Sequence, residues 1–259
     1  MNYIIIKCGG SVLEELPLTF YQDVVNLQKS RKWKPIIVHG GGPFISSLLH
    51  KLQIETKFHD GMRITSPEVL DVVEMVLTGS VNKNIVSQLK KAGGRALGIS
   101  GADGDLLNAK IMDNGNLGLV GEVHQVNTEL VSQIMFTDNI PVISPIGIDE
   151  RGNRLNINGD LAAAAVAKAL GGKLCFVSDI SGVYSEENGK KIWKRTLNKK
   201  EAEQLINKKI IKGGMVPKVR SALDTLSAGV KEVVILDGKE KSSLSNFCAG
   251  MEVGTKMVQ

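Results

Sequence analysis

The chain predicts an α/β fold with a mainly parallel sheet covered by helices on both faces. Three observations carry this. Short β-branched runs recur along the 259 residues, each reaching Gly, Ser or Asp within three residues, as buried strands ending in loops do. Between them lie stretches whose apolar residues have helical spacing, and strand alternating with helix is the pattern of a parallel sheet. The apolar fraction is 42% with only 4% aromatics, so it is mainly Val, Ile, Leu and Ala, the mix of strands buried on both faces.

The strand runs are Tyr3–Ile6, Pro35–Val38, Ala96–Ile99, Pro141–Ser144, Leu174–Val177 and Glu232–Leu236. A helical stripe, Phe44, Ile45, Leu48, Leu49 and Leu52, follows Gly40-Gly41-Gly42, with Pro43 suited to a first turn. A second stripe, Val69, Val72, Val73, Val76 and Leu77, starts at Ser66-Pro67-Glu68, a capping hydroxyl with a proline at the first helical position. Asp160–Leu170 is rich in alanine, and Pro217–Ala228 carries Val219, Leu223 and Leu226 at helical spacing. Two segments read as hairpins: Ala109–Asp113 with Leu117–Val123 around Asn114-Gly115, and Ile146–Asp149 with Arg154–Asn158. A boundary between two lobes is expected near Gly171-Gly172, dividing 1–170 from 171–259.

Composition narrows the function. Charged residues make up 23%, so wholesale disorder is excluded. The formal charge is +5, but Lys and Arg are dispersed and aromatics are sparse, which argues against a nucleic-acid surface. Cys8, Cys175 and Cys248 lie far apart, with no CxxC or Cys/His cluster, so no zinc site or disulfide framework is expected. The opening Met1–Lys7 is not a signal peptide, and no run approaches the ~18 apolar residues of a membrane helix. A soluble cytoplasmic protein is the expectation.

Six clusters carry the chemistry. Lys7-Cys8-Gly9-Gly10-Ser11 follows the first strand, and glycine N–H groups can approach phosphate oxygens without a Cβ in the way; a tight turn beside a surface lysine is the alternative. His39-Gly40-Gly41-Gly42-Pro43 follows the second strand and opens a helix, an anion site by its dipole, or else a plain connection. Two such loops after adjacent parallel strands lie on one sheet edge, where ligands bind. Asp60-Gly61-Met62-Arg63-Ile64-Thr65 offers the planar Arg63 fork for a carboxylate, unless Arg63 is a surface residue. In Asn156-Ile157-Asn158-Gly159-Asp160, strand alternation puts Asn156 and Asn158 on one face, and Asp160 is either a helix N-cap or an organiser of lysines, metal or phosphates. Ser178-Asp179-Ile180-Ser181-Gly182-Val183-Tyr184 follows an apolar strand and suits a nucleotide. In Lys212-Gly213-Gly214-Met215-Val216-Pro217-Lys218, a cation on a first helical turn opposes the dipole unless an anion lies nearby. Neither a Ser/His/Asp nor a Cys/His arrangement is present, and the four histidines have no metal-like spacing. Lysines, glycine loops, one acid and one arginine match phosphoryl transfer, which needs positioning and charge rather than a covalent nucleophile.

In their order and approximate spacing, these six motifs resemble the amino acid kinase family along essentially the whole chain. The resemblance implies an open three-layer αβα sandwich, with the amino acid bound by the N-terminal lobe, which also dimerises, and ATP by the C-terminal lobe. It implies ATP-dependent phosphorylation of the side-chain carboxylate of N-acetyl-L-glutamate, in arginine biosynthesis, with Mg²⁺ held mainly by the ATP phosphates. Under it, Lys7 and Lys218 stabilise the transferring group and Asp160 orients both. Gly41, Gly42, Arg63 and Asn156 bind substrate. Gly9, Gly10, Asp179, Ile180, Ser181, Gly182, Val183, Tyr184, Ile210, Ile211 and Lys212 bind ATP. A homodimer insensitive to arginine is implied, since the first strand begins at residue 3, where arginine-inhibited members carry an extra helix. Gly159 departs from the family pattern, in which alanine is expected. The alternatives are an N-acetyl-2-aminoadipate kinase, whose substrate is one methylene longer, and a non-catalytic nucleotide sensor.

Overall fold

The structure is a computed structural model that describes residues 2–112, 115–187, 190–213 and 215–258. Asp113, Asn114 and Gly214, named above in a hairpin turn and a glycine motif, lie outside the described residues.

Among the described residues the central sheet has eight strands. Across it they run Thr196–Leu197, Thr255–Met257, Val233–Asp237, Lys173–Ser178, Asn2–Cys8, Trp33–His39, Ile140–Ser144 and Ala96–Ser100. All six expected strands are present; five are extended by one to three residues in all, and the sixth runs Val233–Asp237, one residue later than Glu232–Leu236. The first strand pairs in parallel with both Trp33–His39 and Lys173–Ser178. Only Thr255–Met257, which lies between Thr196–Leu197 and Val233–Asp237, introduces an antiparallel pairing, with Val233–Asp237.

Alternation along the first strand sorts its side chains between two cores. Ile4 and Ile6 enter the core that holds Val24, Leu49, Val73 and Leu89. Ile5 enters the opposite one, with Ile36, Val166 and Val219. All three isoleucines are fully buried, each worth about 1.5–3 kcal/mol relative to exposure. Helices therefore cover both faces, giving the three layers expected.

Ser66 caps its helix as read, its Oγ accepting from the Val69 N–H at 3.3 Å. The helix Pro67–Glu74 does not simply continue. It passes through a π-helical segment, Met75–Val81, into a further helix, Asn82–Lys91. The alanine-rich helix spans Gly159–Leu170, and its cap is Asn158, not Asp160: Asn158 Oδ1 accepts from the Asp160 and Leu161 N–H groups at 2.8 and 3.3 Å. The preceding strand ends at Ile157, so Asn156 and Asn158 do not share a strand face. Both expected hairpins form antiparallel pairs, Leu107–Ile111 with Val120–Val126 and Ile146–Ile148 with Arg154–Ile157, and the four strands close into a small barrel. Among the described residues no helix is long and apolar enough to cross a membrane.

Candidate active site

The parallel register brings the carboxyl ends of three strands level, because Cys8 lies opposite both His39 and Val177. Their following loops, Gly9-Gly10, Gly40–Gly42 and Asp179, emerge at one edge. The two glycine loops interlock. Gly40 N–H donates to Cys8 O at 2.9 Å. A Cβ on Gly10 would stand 2.8 Å from Pro43 Cδ and 2.9 Å from Gly42 N, closer than a side chain tolerates, so the nesting requires glycine.

Above these loops lies a cavity of about 320 Å³ lined by Lys7, Gly9, Gly10, Gly40–Gly42, Asp160 and Lys218. Lys7 Nζ stands 2.6 Å from Asp160 Oδ1. This is a contact of charge, since that buried oxygen receives no aligned hydrogen bond. The expectation that Asp160 meets both lysines is corrected here. Lys218 Nζ donates instead to Asp179 Oδ1 and to Ser178 Oγ, each at 3.0 Å, and Ser178 Oγ itself donates to Asp179 Oδ1 at 3.2 Å. The Lys218 hydrogen bond is the largest cause holding the Asp179 carboxyl below its ordinary value. Both lysines still line one cavity, from different elements.

On one side this cavity shares Gly40–Gly42, Asn158 and Gly159 with a pocket of about 170 Å³ that contains Arg63 and Asn156. Arg63 is buried. Its Nη2 donates to Ser46 Oγ at 2.8 Å and Gly42 O at 3.3 Å, and its guanidinium carbon sits 4.7 Å from the centre of the Phe58 ring. Burial lowers its pKa, but a guanidinium stays charged. Nη1 is buried and has no hydrogen-bond partner. That leaves one buried donor of the fork uncommitted. Asn156 Nδ2 donates to Thr65 Oγ1 at 3.0 Å, and Thr65 in turn donates to Arg63 O at 2.8 Å, which ties the two expected substrate residues together. Arg154 ion-pairs with Asp71 and Glu74, anchoring the Asn156 strand to the helix beneath.

On the other side the central cavity shares Ser11 and Lys218 with a cavity of about 670 Å³. Asp179, Ile180, Val183, Tyr184, Ile210, Ile211 and Lys212 line it. Ser181 and Gly182 do not. Gly182 turns away at φ +135°, and a Cβ there would stand 2.7 Å from Thr255 Oγ1, which accepts from the Val183 N–H. Gly9 and Gly10 face the central cavity rather than this one. Sequence reasoning missed Ser11, Lys209 and Met215 on this wall, Leu77 and Phe58 on the small pocket, and the Ser178 contact to Lys218. Ser178 ends a recognisable strand, which is a usable signal. Leu77 carries none, because its position depends on the π segment.

A nucleoside triphosphate fits this row of cavities: Ile180, Val183 and Ile211 offer apolar walls, Lys209, Lys212 and Lys218 offer charge, and the glycine loops lie beyond. A magnesium ion fits as a passenger on phosphates, since Asp160 and Asp179 are each engaged by a lysine. Among the described residues no group of three His, Cys, Asp or Glu side chains could hold a metal. The thiols take no part: burial pushes Cys8 up to about 12.

A family model described as "Amino acid kinase family" matches residues 2–237. The chain is 50% identical to a protein named acetylglutamate kinase from Oceanobacillus iheyensis, covering 100% of this chain and 98% of that one. It is 47% identical to another of that name from Bacillus subtilis, over 99% and 96% of the two chains. Among solved structures, smu.665 from Streptococcus mutans superposes with a TM-score of 0.83 at 30% identity, covering 99% of this chain and 98% of that one. An N-acetylglutamate synthase from Neisseria gonorrhoeae shares the fold, with a TM-score of 0.80 at 22% identity over 100% of this chain and 59% of that one. This chain belongs to the amino acid kinase family.

Proposed function

We propose that this chain transfers the terminal phosphoryl group of ATP to the side-chain carboxylate of N-acetyl-L-glutamate, in arginine biosynthesis. One observation carries the reading: a small pocket lined by a buried arginine with an uncommitted donor and a large cationic cavity meet at a third cavity walled by two lysines and two glycine loops. Relatives of nearly equal length at 47–50% identity bear the name acetylglutamate kinase, which supports this acid as the acceptor.

In this mechanism Arg63 and Asn156 hold the acid with its side-chain carboxylate towards Gly41 and Gly42. That carboxylate is already ionised at neutral pH, so no general base is needed. Its oxygen forms a bond to the γ-phosphorus while the bond from that phosphorus to the β–γ bridging oxygen breaks. ADP leaves with the electron pair, and no proton moves. The barrier is largely repulsion between anions. Lys7 and Lys218 oppose it from two sides, and Asp160 keeps Lys7 in place. Magnesium on the phosphates would supply further neutralisation. The product is an acyl phosphate, so excluding water from the central cavity protects it.

The two-lobe assignment belongs to this proposal. It is supported by the linings: those of the small pocket come from residues 40–159, and those of the large cavity from 179–218 apart from Ser11. A cytoplasmic homodimer is proposed on the family resemblance alone; light scattering of the purified chain tests it.

The deciding experiment follows ATP consumption with Mg²⁺ while hydroxylamine traps acyl phosphate, comparing N-acetyl-L-glutamate with N-acetyl-2-aminoadipate, aspartate and glutamate. Selective hydroxamate from N-acetyl-L-glutamate is expected. Selective formation from another acid moves the pathway and keeps the mechanism. No hydroxamate from any acid overturns the enzymatic reading in favour of a nucleotide sensor.

A further inference from the structure

A buried polar network lies behind the glycine loop, and the mechanism above does not use it. His39 and Asn82 are both fully buried, though they are polar and 43 residues apart. His39 Nδ1 faces Gly40 O at 3.0 Å. His39 Nε2 faces Asn82 Nδ2 at 3.2 Å. The Asn82 amide nitrogen also donates to Val142 O at 2.9 Å and lies 3.4 Å from Ile99 O, while its Oδ1 accepts from Lys83 Nζ at 3.0 Å.

These contacts fix the protons. Turning the Asn82 amide over would aim its oxygen at two backbone carbonyls and its nitrogen at an ammonium, so the orientation is set. Asn82 therefore donates to His39 Nε2, which must be the acceptor nitrogen. The imidazole proton then sits on Nδ1, where it donates to the Gly40 carbonyl. In a trans peptide the C=O and the following N–H point in opposite directions. A Gly40 carbonyl held back towards the imidazole turns the Gly41 N–H the other way, towards the cleft that Gly41 lines on both the small pocket and the central cavity.

Two further features fit this role. Asn82 follows directly on the π-helical segment Met75–Val81, and such departures from α geometry are frequent at functional sites. The same segment presses Leu77 under the loop: a Cβ on Gly41 would stand 2.6 Å from Leu77 Cδ2. The neighbouring strand also makes room, since a Cβ on Gly98 would overlap Asn82 Oδ1 at 1.9 Å. We infer that Asn82 is a positioning residue for phosphoryl transfer, acting through the His39 tautomer on the Gly40 carbonyl and so on the direction of the Gly41 amide. This rests on the function proposed above.

The test uses the full chain in three forms: wild type, Asn82→Ala, and Thr78→Val as a control. Thr78 belongs to the π segment and loses a 3.1 Å hydroxyl contact to Ser144 without touching the loop. Initial rates are taken well below each melting temperature, and the imidazole tautomers are read by nitrogen-15 NMR with His39 assigned in the wild type by triple-resonance correlation to its backbone. The expected wild-type signal is Nδ1–H at neutral pH. Asn82→Ala should mix the tautomers and lower kcat on the order of 10²-fold, the scale of a small misplacement of a catalytic group, with KM for ATP unchanged. Thr78→Val should lose stability and keep kcat. The inference is overturned by an Nε2–H wild type, which needs no folded variant, by Asn82→Ala retaining kcat or the pure Nδ1–H tautomer, or by Thr78→Val losing as much kcat. A wild type that forms no hydroxamate overturns the proposed function as well; failures confined to Asn82 leave that function standing.

Discussion

The two ends of the site are built on different terms. The small pocket is about 170 Å³, walled by glycine backbone and a buried arginine. The large cavity is about 670 Å³, and its Lys218–Asp179 pair has side chains 31% and 54% exposed, against 17% and 27% for Lys7–Asp160. The end proposed for the acid is thus walled mainly by backbone and a buried side chain, so its shape can discriminate. The nucleotide end holds its lysine on a partly solvated carboxylate, from which a phosphate can draw it. A site with one rigid and one adjustable half suits a reaction whose product must be kept from water.

The largest test of this contrast is removal of each lysine. Lys7→Ala and Lys218→Ala should each lower kcat by roughly 10²–10³-fold, the scale of losing one preorganised electrostatic donor. They should differ in binding: KM for ATP should rise in Lys218→Ala, which lines both cavities, and hold in Lys7→Ala. Steady-state kinetics with circular dichroism checks both. Near-normal turnover in either variant removes that lysine from the mechanism.

Acid pH should strike the rigid end first. Burial, opposed by the Gly40 hydrogen bond and aided by the Lys83 charge, pushes His39 down from 6.5 to about 4. Above 6.5 folded and unfolded chains are both neutral there, and the group contributes nothing to pH dependence. Below 6.5 the unfolded chain takes a proton that the folded one refuses, so stability falls until about pH 4, by about 3 kcal/mol in all. The Asp179 carboxyl has a lowered folded pKa, so its stabilisation is present above its ordinary 3.8 and is lost only below it; half-exposed, it contributes little. Thermal melts at pH 7 and pH 5 should therefore show a loss in wild type that is much reduced in His39→Gln. An equal loss in both would mean that His39 is not the group responsible.

The acid end can also be weakened without touching the nucleotide. Arg63→Lys keeps the charge but loses the planar fork that reaches Ser46, Gly42 and the open side of the pocket. One charged hydrogen bond is worth about 1.5–3 kcal/mol, so KM for N-acetyl-L-glutamate should rise about tenfold or more, with KM for ATP unchanged. A parallel rise in both would show the two cavities coupled through Gly42.

What could be read beforehand divides along the same line. Strands such as Ile4–Ile6 and Leu174–Val177 announced themselves because both faces are buried, and their unbroken β-branched runs need no partner to be recognised. The glycine loops were legible because glycine carries its own reason. The small pocket's walls were not. Leu77 fell on a helical stripe, and nothing in that stripe says that it also stands under Gly41, from within the π segment. Asn82 lies far in sequence from His39, and no local pattern pairs them. Asp160 read equally as cap or organiser; only the structure gives the cap to Asn158 and the charge contact to Lys7. At the large cavity, local strings such as Asp179–Tyr184 named the wall but not which residues face it: Ser181 and Gly182 do not line it. Motifs mark loops, whereas facing and pairing depend on register.

The smallest expected effect bears on how rigid the acid end is. Gly159 opens the alanine-rich helix and lines both the small pocket and the central cavity. Its φ is not in the left-handed region, and a Cβ there would meet His39 O at 3.4 Å and Gly40 Cα at 3.6 Å, which is van der Waals contact. Alanine is thus compatible, and it removes freedom from the unfolded chain worth about 0.4–1 kcal/mol. For a chain of this size that is a rise in Tm of about 1–4 °C. If the acid end is already assembled, Gly159→Ala should gain this stability and keep kcat, because nothing there has to move. A gain in Tm accompanied by a fall in kcat would mean that the glycine's freedom is used during turnover, and that the half of the site built from buried backbone is not the rigid one.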